Sequence, residues 1–238
     1  MDFSKITEEY RYKTELHSHT NPASDCGKLT PELNARIYAN LGCDTLTITN
    51  HLTNARLGKF PTNEELAEFY LADYFAAKKA AEGTSLCVAL GVELRFVNDI
   101  NDYLVYGVEP EDIERMITYL DKDVKTFYRD FKNDKNVLIH AHPFRNNMNP
   151  TPLGYVDGIE SINMPPGSNS RVGIAARLAA EHDLLVTAGS DYHDPNRQAM
   201  VLMRTKHKLR DSFDVAEAIK SRDVVFDMSG HIIIPYLW

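Results

Sequence analysis

The chain has 238 residues, 43% of them hydrophobic and 25% charged, and a formal net charge of -8 at pH 7; its pI is near 5.6 and its mean hydropathy -0.36. This is ordinary globular composition at a length that α/β barrels reach around one core, so a single domain over residues 1–238 is expected. The acidic balance disfavours duplex nucleic acid, which is bound largely by Lys and Arg neutralising phosphates, and no stretch approaches the roughly 18 apolar residues of a membrane helix. A small substrate and a cytoplasmic location are the expectations that remain.

The first strand ends in 14-TELHSHT-20, with Asp25 in the loop that follows. Thr30 and Pro31 have the chemistry of an N-cap and first helical residue, and Gly42 closes that helix. A strand at 44-DTLTITNH-51 precedes a long helix at 62–83, where Thr62 and Glu65 have capping-box spacing and Gly83 suits a left-handed C-terminus. Strands are predicted at 86-LCVALGVELRF-96 and 102-DYLVYGV-108, then helical sequence over 110–133 in two pieces. Further strands fall at 137-VLIHAH-142, 158-GIESIN-163, 184-LLVTAGS-190 and 223-DVVFDM-228, with helices at about 170–182 and 212–221. The alternation predicts about eight strands in a largely parallel sheet. Cys26, Cys43 and Cys87 are odd in number and widely separated, which predicts reduced thiols rather than a disulfide framework or a metal pair. The apolar tail 231-HIIIPYLW-238 is suited to covering the barrel or a partner.

Six of the nine histidines fall at C-terminal strand ends on this map: His17, His19, His51, His140, His142 and His193. That edge is where α/β folds build their sites. Side chains at i and i+2 on a strand share a face, roughly 7 Å apart at the backbone, so His17 and His19 can converge on one ion. The same spacing relates His140 to His142, and Asp191 to His193 if the strand persists. An HxH alone is equally the signature of two hydrogen-bonded interior histidines. Four separate strand ends carrying histidine, with Glu93 and Asp191 among them, favour a shared metal site. Imidazole and carboxylate donors suit Zn, Mn or Fe, and Glu93 has two oxygens with which to bridge two ions. Such ions lower the pKa of bound water from about 15.7 to about 7, so metal-bound hydroxide becomes the nucleophile of a hydrolysis at neutral pH.

The ordered set LHSHT, SD, TNH, GVE, AHP and GSDYH resembles the motifs of the PHP (polymerase and histidinol phosphatase) superfamily of metal-dependent phosphoesterases, over residues 16 to about 193. The resemblance implies a distorted (β/α)7 TIM-like barrel with two or three divalent ions at its C-terminal face. It further implies ligation by His17, His19, Asp25, His51, Glu93, His142, Asp191 and His193. Two residues depart from the pattern: Asn50 stands where the family often has Asp, and Tyr103 where trinuclear members often have histidine. His140 is open between ligand, second-layer donor and packing residue. Arg95, Arg145 and Arg197 are candidates to grip substrate phosphate, and Asn163 and Arg171 flank a loop suited to a substrate wall. The expected reaction is hydrolysis of a small phosphomonoester, such as histidinol phosphate or a nucleotide, with His193 or His140 protonating the leaving group. An amidohydrolase-type C–N hydrolase and a non-catalytic metal-binding module are the alternatives.

Overall fold

The computed structural model describes residues 3–148, 151–165, 168–195 and 201–236. In chain order the elements are α1 (Phe3–Glu9), β1 (Tyr12–Glu15), α2 (Pro31–Asn40), β2 (Thr45–Ile48), β3 (His51–Thr53), α3 (Asn63–Ala80), β4 (Cys87–Leu90) and β5 (Val92–Arg95). They continue with β6 (Tyr103–Tyr106), α4 (Asp112–Ile117), α5 (Val124–Asp130), β7 (Val137–His140), β8 (Gly158–Asn163), α6 (Val172–Glu181) and β9 (Leu185–Gly189). The last are β10 (Val201–Thr205), α7 (Ser212–Ser221), β11 (Val225–Met228) and β12 (His231–Ile233).

The helix starts follow from local chemistry. Thr30 accepts the backbone N–H of Leu33 at the start of α2, with Pro31 behind it, and Thr62 accepts that of Glu65 at the start of α3. Both bonds satisfy N–H groups that a helix leaves without internal partners. Asp123 and Asp211 do the same for α5 and α7.

The strands form two six-stranded sheets, in the orders β12-β11-β10-β1-β2-β4 and β3-β5-β6-β7-β8-β9. The expectation of about eight strands in a largely parallel sheet is corrected here. The strand predicted over 44–51 is interrupted after Ile48 and resumes as β3, and that over 86–96 breaks at Gly91 into β4 and β5. The breaks put the two halves of each run into different sheets. Antiparallel pairings come from β6 between β5 and β7, and from β10, which runs against both β1 and β11. The sheets also meet through a parallel bridge between Ser18 and Tyr192, just past the ends of β1 and β9.

Two apolar clusters fill the interior. One packs α2, α3, α4 and α5 on the strands through residues such as Tyr38, Tyr70, Leu94 and Phe127. The other packs α6 and α7 through Ala175, Ala179, Val215 and Ile219 against Ile139, Ile159 and Phe226. The tail docks on the second cluster: Ile233 and Tyr236 pack against it, and the Tyr236 hydroxyl accepts the N–H of Val186 at 2.9 Å. All three cysteines are free thiols, Cys43 buried and Cys26 exposed. Among the described residues no helix is long and apolar enough to cross a membrane.

Candidate metal centre

Eight residues from distant parts of the chain converge between the two sheets. Overlapping groups are His19, His51 and His193; His17, His19 and Asp191; His17, Glu93 and His142; and His51, Glu93 and Asp102. Within each group the potential ligand atoms lie within 4.8 Å of one another. The two Nε2 atoms of His17 and His19 are 3.1 Å apart, just past the end of β1 at Glu15. Glu93 sits at the middle: Oε1 is 3.1 Å from His142 Nε2 and 3.4 Å from His17 Nε2, and Oε2 is 3.2 Å from His19 Nε2. Asp191 Oδ1 lies 3.3 Å from His19 Nε2 and 3.5 Å from His17 Nε2.

Strand spacing does not explain every member. β7 ends at His140, and His142 has φ of 31°, so the two histidines of 140-HAH-142 do not share a face as expected. Asp191 likewise has φ of 50°. Left-handed backbone at non-glycine residues is costly and concentrates at functional sites. Here it turns one side chain from each strand end into the cluster. Gly189 is required by a close approach: a Cβ there would stand 2.5 Å from His17 Cβ and 2.7 Å from Glu160 Oε1.

The electrostatics are those of a site for cations. Burial opposes the charging of His17, but Glu160, Asp191 and Glu93 outweigh it and hold its pKa well above the ordinary imidazole value. His51 is raised in the same way by Glu93 and Cys26. Conversely, burial works against ionised Glu93, yet His51 and His17 keep it well below the usual carboxylate range. Asp191 is also depressed, through His17, His19 and Arg145. A charge-balanced buried cluster of this kind is stable only while its carboxylates face positive charge.

The donor set passes a test of fit. His51 Nδ1 and Glu93 Oε2 are 2.9 Å apart, yet neither makes an aligned hydrogen bond. Buried polar atoms are nearly always bonded, so two such orphans side by side, both on ligand-type groups, fit a shared ion. His17 donates from Nδ1 to Glu160 Oε1 at 2.8 Å, which leaves Nε2 to face Glu93 and Asp191. His193 donates from Nδ1 to the Asp191 carbonyl at 2.7 Å, with the same result for its Nε2.

Other sequence candidates lie elsewhere. Asp25 is displaced from the cluster: its side chain is 80% exposed and pairs with Arg56 at 2.7 Å, because the loop carries it toward that guanidinium. His140 is buried against Tyr103, with ring centroids 5.4 Å apart, and its Nδ1 accepts the N–H of Thr151. Burial and neighbouring His142 push its pKa down to about 3, so it is neutral and ill suited to donating a proton to a leaving group. His193 is lowered to about 4, first by burial and then by His19, which argues against the same role. Tyr103 bonds Asp99 and Thr151 rather than facing the cluster.

Arg95 grips Asp102 with two bonds, at 2.7 and 2.5 Å, instead of standing free for phosphate. Arg145 pairs with Asp191 and donates to Asn163 Oδ1 at 3.1 Å, while its Nε has no partner. It lines a cavity of about 260 Å³ together with Lys28, Asp191 and His193. Arg171 is held by the Phe144 carbonyl and Asn146, away from the cluster. Arg197 lies outside the described residues.

Three carboxylates escaped the sequence reading. Glu160 bonds His17 and also accepts the His142 backbone N–H at 3.0 Å. Glu15 accepts backbone N–H groups from His17 and Ser190, tying the ends of β1 and β9 together. Asp102 joins His51 and Glu93. Their signal was available: each is an acid within or beside a strand-like run, where a buried charge needs a partner.

No protein-family model and no curated protein sequence matches the chain. Solved structures do. A metal-dependent phosphoesterase assignment attaches to a protein from Bifidobacterium adolescentis that aligns with TM-score 0.52 at 19% identity, over 86% of this chain and 94% of that one. A two-domain protein from Bacteroides vulgatus, containing a PHP-like metal-dependent phosphoesterase by its description, aligns with TM-score 0.65 at 15% identity. That match covers 90% of this chain but 64% of the other, so this chain spans less than two thirds of its length. An amidohydrolase from Chromobacterium violaceum with bound sulfate aligns with TM-score 0.48 at 17% identity, over 93% and 98% of the two chains. The two alignments above 0.5 give the chain the mixed α/β fold of PHP-like metal-dependent phosphoesterases.

Proposed function

We propose that this chain is a divalent-metal-dependent hydrolase of phosphoesters, acting on a small phosphomonoester such as histidinol phosphate or a nucleotide. The observation that carries the reading is the orphaned pair His51 Nδ1 and Glu93 Oε2, buried at the meeting point of five histidines and three carboxylates. His17, His19, His51, Glu93, His142, Asp191 and His193 would hold two or three ions of Zn, Mn or Fe, with Glu93 shared and Asp102, itself paired with Arg95, beside it. Bound ions would supply Lewis acidity at a phosphoryl oxygen and acidify water to a pKa of about 7.

The chain's own residues do the rest. Glu160 and the Asp191 carbonyl fix the proton on Nδ1 of His17 and His193, so that Nε2 of each faces inward. Arg145, already at the cavity wall, would donate to a phosphate oxygen in a charge-assisted bond. The proposal includes one domain in which the two sheets wrap as a distorted (β/α)7 barrel, with the cluster in its mouth. The acidic net charge of -8 suits a small free substrate better than a duplex.

The test is elemental analysis of the purified chain, followed by phosphate release from a panel of phosphomonoesters and phosphodiesters after loading with Mn²⁺, Fe²⁺ or Zn²⁺. Two or three ions per chain with turnover of a monoester is the expected result. Absence of tight metal uptake by folded protein would overturn the reading. Uptake with amide cleavage and no phosphate release would replace phosphoester with C–N hydrolysis.

A further inference from the structure

Asp73, in the middle of α3, has no atom in the metal cluster, yet it is only 2% exposed. One oxygen, Oδ2, accepts from Thr20 Oγ1 at 2.8 Å, Ala23 N at 3.1 Å and Asn50 Nδ2 at 3.2 Å. No Lys or Arg is among those partners, so the carboxylate is held by neutral donors alone. A buried anion kept at that cost needs a reason.

The reason emerges from tracing the protons. The Thr20 backbone N–H can only donate, and it reaches Asn50 Oδ1 at 2.7 Å. An ionised Asp73 can only accept, so it faces Asn50 Nδ2. These two one-way partners fix the Asn50 amide in a single orientation. Ser24 Oγ then donates its one hydrogen to Asn50 Oδ1 at 3.0 Å and accepts the N–H of His51 at 2.8 Å. What remains on Ser24 for His19 Nδ1, 3.1 Å away, is a lone pair. His19 must therefore carry hydrogen on Nδ1 and present Nε2 to Glu93 and Asp191.

We propose that Asp73 is a positioning residue for the metal centre: through Asn50 and Ser24 it sets the proton on His19 Nδ1 and so frees Nε2 for a cation. The inference deepens the metal-dependent reading above and rests on it. It also explains why position 50 is an amide. A carboxylate there would place oxygen against Asp73 Oδ2 at 3.2 Å, and two carboxylates so close cannot both stay ionised. The negative charge is thus stored on α3, one hydrogen bond further from the ions, and the amide transmits it.

The test changes each partner in turn. Asn50→Asp and Asp73→Asn are each expected to weaken Zn²⁺ binding by about 10- to 100-fold, the usual effect of losing a partner of a metal-ligating histidine. The double variant is expected to bind no more tightly than the weaker single, because an amide nitrogen at position 73, turned toward a carboxylate at position 50, would stand against the Ala23 N–H that Asp73 Oδ2 now accepts. Affinity is read by competition with a chromogenic chelator. Independently, ring-nitrogen ¹⁵N shifts of the metal-free protein are expected to show a protonated His19 Nδ1 in the parent and its loss in Ser24→Ala, a variant that leaves Asn50 and Asp73 in place. An unprotonated Nδ1 in the parent, or folded single variants that bind Zn²⁺ as the parent does, would overturn the proposal. So would a double variant that binds Zn²⁺ as the parent does. Because the ¹⁵N readout needs no metal, a protonated Nδ1 in a protein that takes up no ion would sink the hydrolase reading and leave the relay standing.

Discussion

Glu160 Oε1 accepts the Nδ1 proton of His17 at 2.8 Å while Oε2 accepts the backbone N–H of His142 at 3.0 Å, so one carboxylate on β8 orients a side chain just past β1 and the turn after β7. Asn163, also on β8, donates to the same Oε2 at 2.9 Å. Glu160→Gln keeps the shape but replaces an acceptor with a donor at one of these positions. We expect metal affinity to fall by about 10- to 100-fold with the fold retained, measured by chelator competition alongside circular dichroism. Unchanged affinity would show that His17 needs no such partner.

The pH dependence of the metal-free protein follows from His17 and His51, whose pKa values are raised in the folded state. A raised folded pKa contributes stability that is complete below the unfolded value of about 6.5 and is lost as pH climbs through the folded value. Glu93 and Asp191 are depressed, so their contribution is present above about pH 4 and is lost on acidification. The melting temperature of chelator-treated protein should therefore decline as pH rises above about 6.5. Zn²⁺ affinity should increase over the same range, since the ion displaces those protons. A metal-free melting temperature that is flat or rising there contradicts the electrostatics.

Gly189→Ala tests the close approach at the end of β9. The added methyl would meet His17 Cβ and Glu160 Oε1 inside contact distance. Overpacking of this kind costs about 1–3 kcal/mol, and here it bears on two residues of the cluster. Both the melting temperature and metal affinity should drop, whereas a change in stability alone would mean that the pair shifts together without harm.

Arg145→Met removes the guanidinium that pairs with Asp191 and lines the cavity. A charge-assisted bond is worth about 1.5–3 kcal/mol, so kcat/KM for a phosphomonoester should fall by about 10- to 100-fold. Inorganic phosphate should also inhibit less strongly. Equal phosphate inhibition in the variant and the parent would remove Arg145 from the substrate site.

Asp25→Ala separates the family pattern from this chain. With its carboxylate exposed and paired to Arg56, removal should leave metal content unchanged and stability within about 0.5 kcal/mol. A lost equivalent of metal would instead mean that the loop closes over the ions when they bind.

Much of the site was legible because local rules bound it. The HxH spacing of His17 and His19 marked the pair in the sequence, and the two rings do meet, although β1 ends at Glu15, just before them. Thr30 and Thr62 announce their helices through a hydrogen bond three residues long. The runs 137-VLIH-140 and 158-GIESIN-163 read as strands, and both are strands buried along their length. The placement of six histidines at strand ends likewise needed no knowledge of which strands pair.

What tertiary structure decided was partnership. Nothing local tells Asp25 that it will pair with Arg56 outside the cluster, or tells Arg95 that the two oxygens of Asp102 will take its Nε–H and an Nη2–H. The left-handed turns at His142 and Asp191 depend on contacts across the sheets, so strand periodicity could not reveal that His140 is left behind. Parallel or antiparallel pairing of β6 and β10 is also invisible to a pattern of alternating side chains, which is the same in either direction. Sequence fixes which groups are charged and which face of its own strand each one occupies. Coulomb and hydrogen-bond energies between distant segments then choose the neighbours, because a buried charge settles only where the assembled fold offers an opposite charge or a donor.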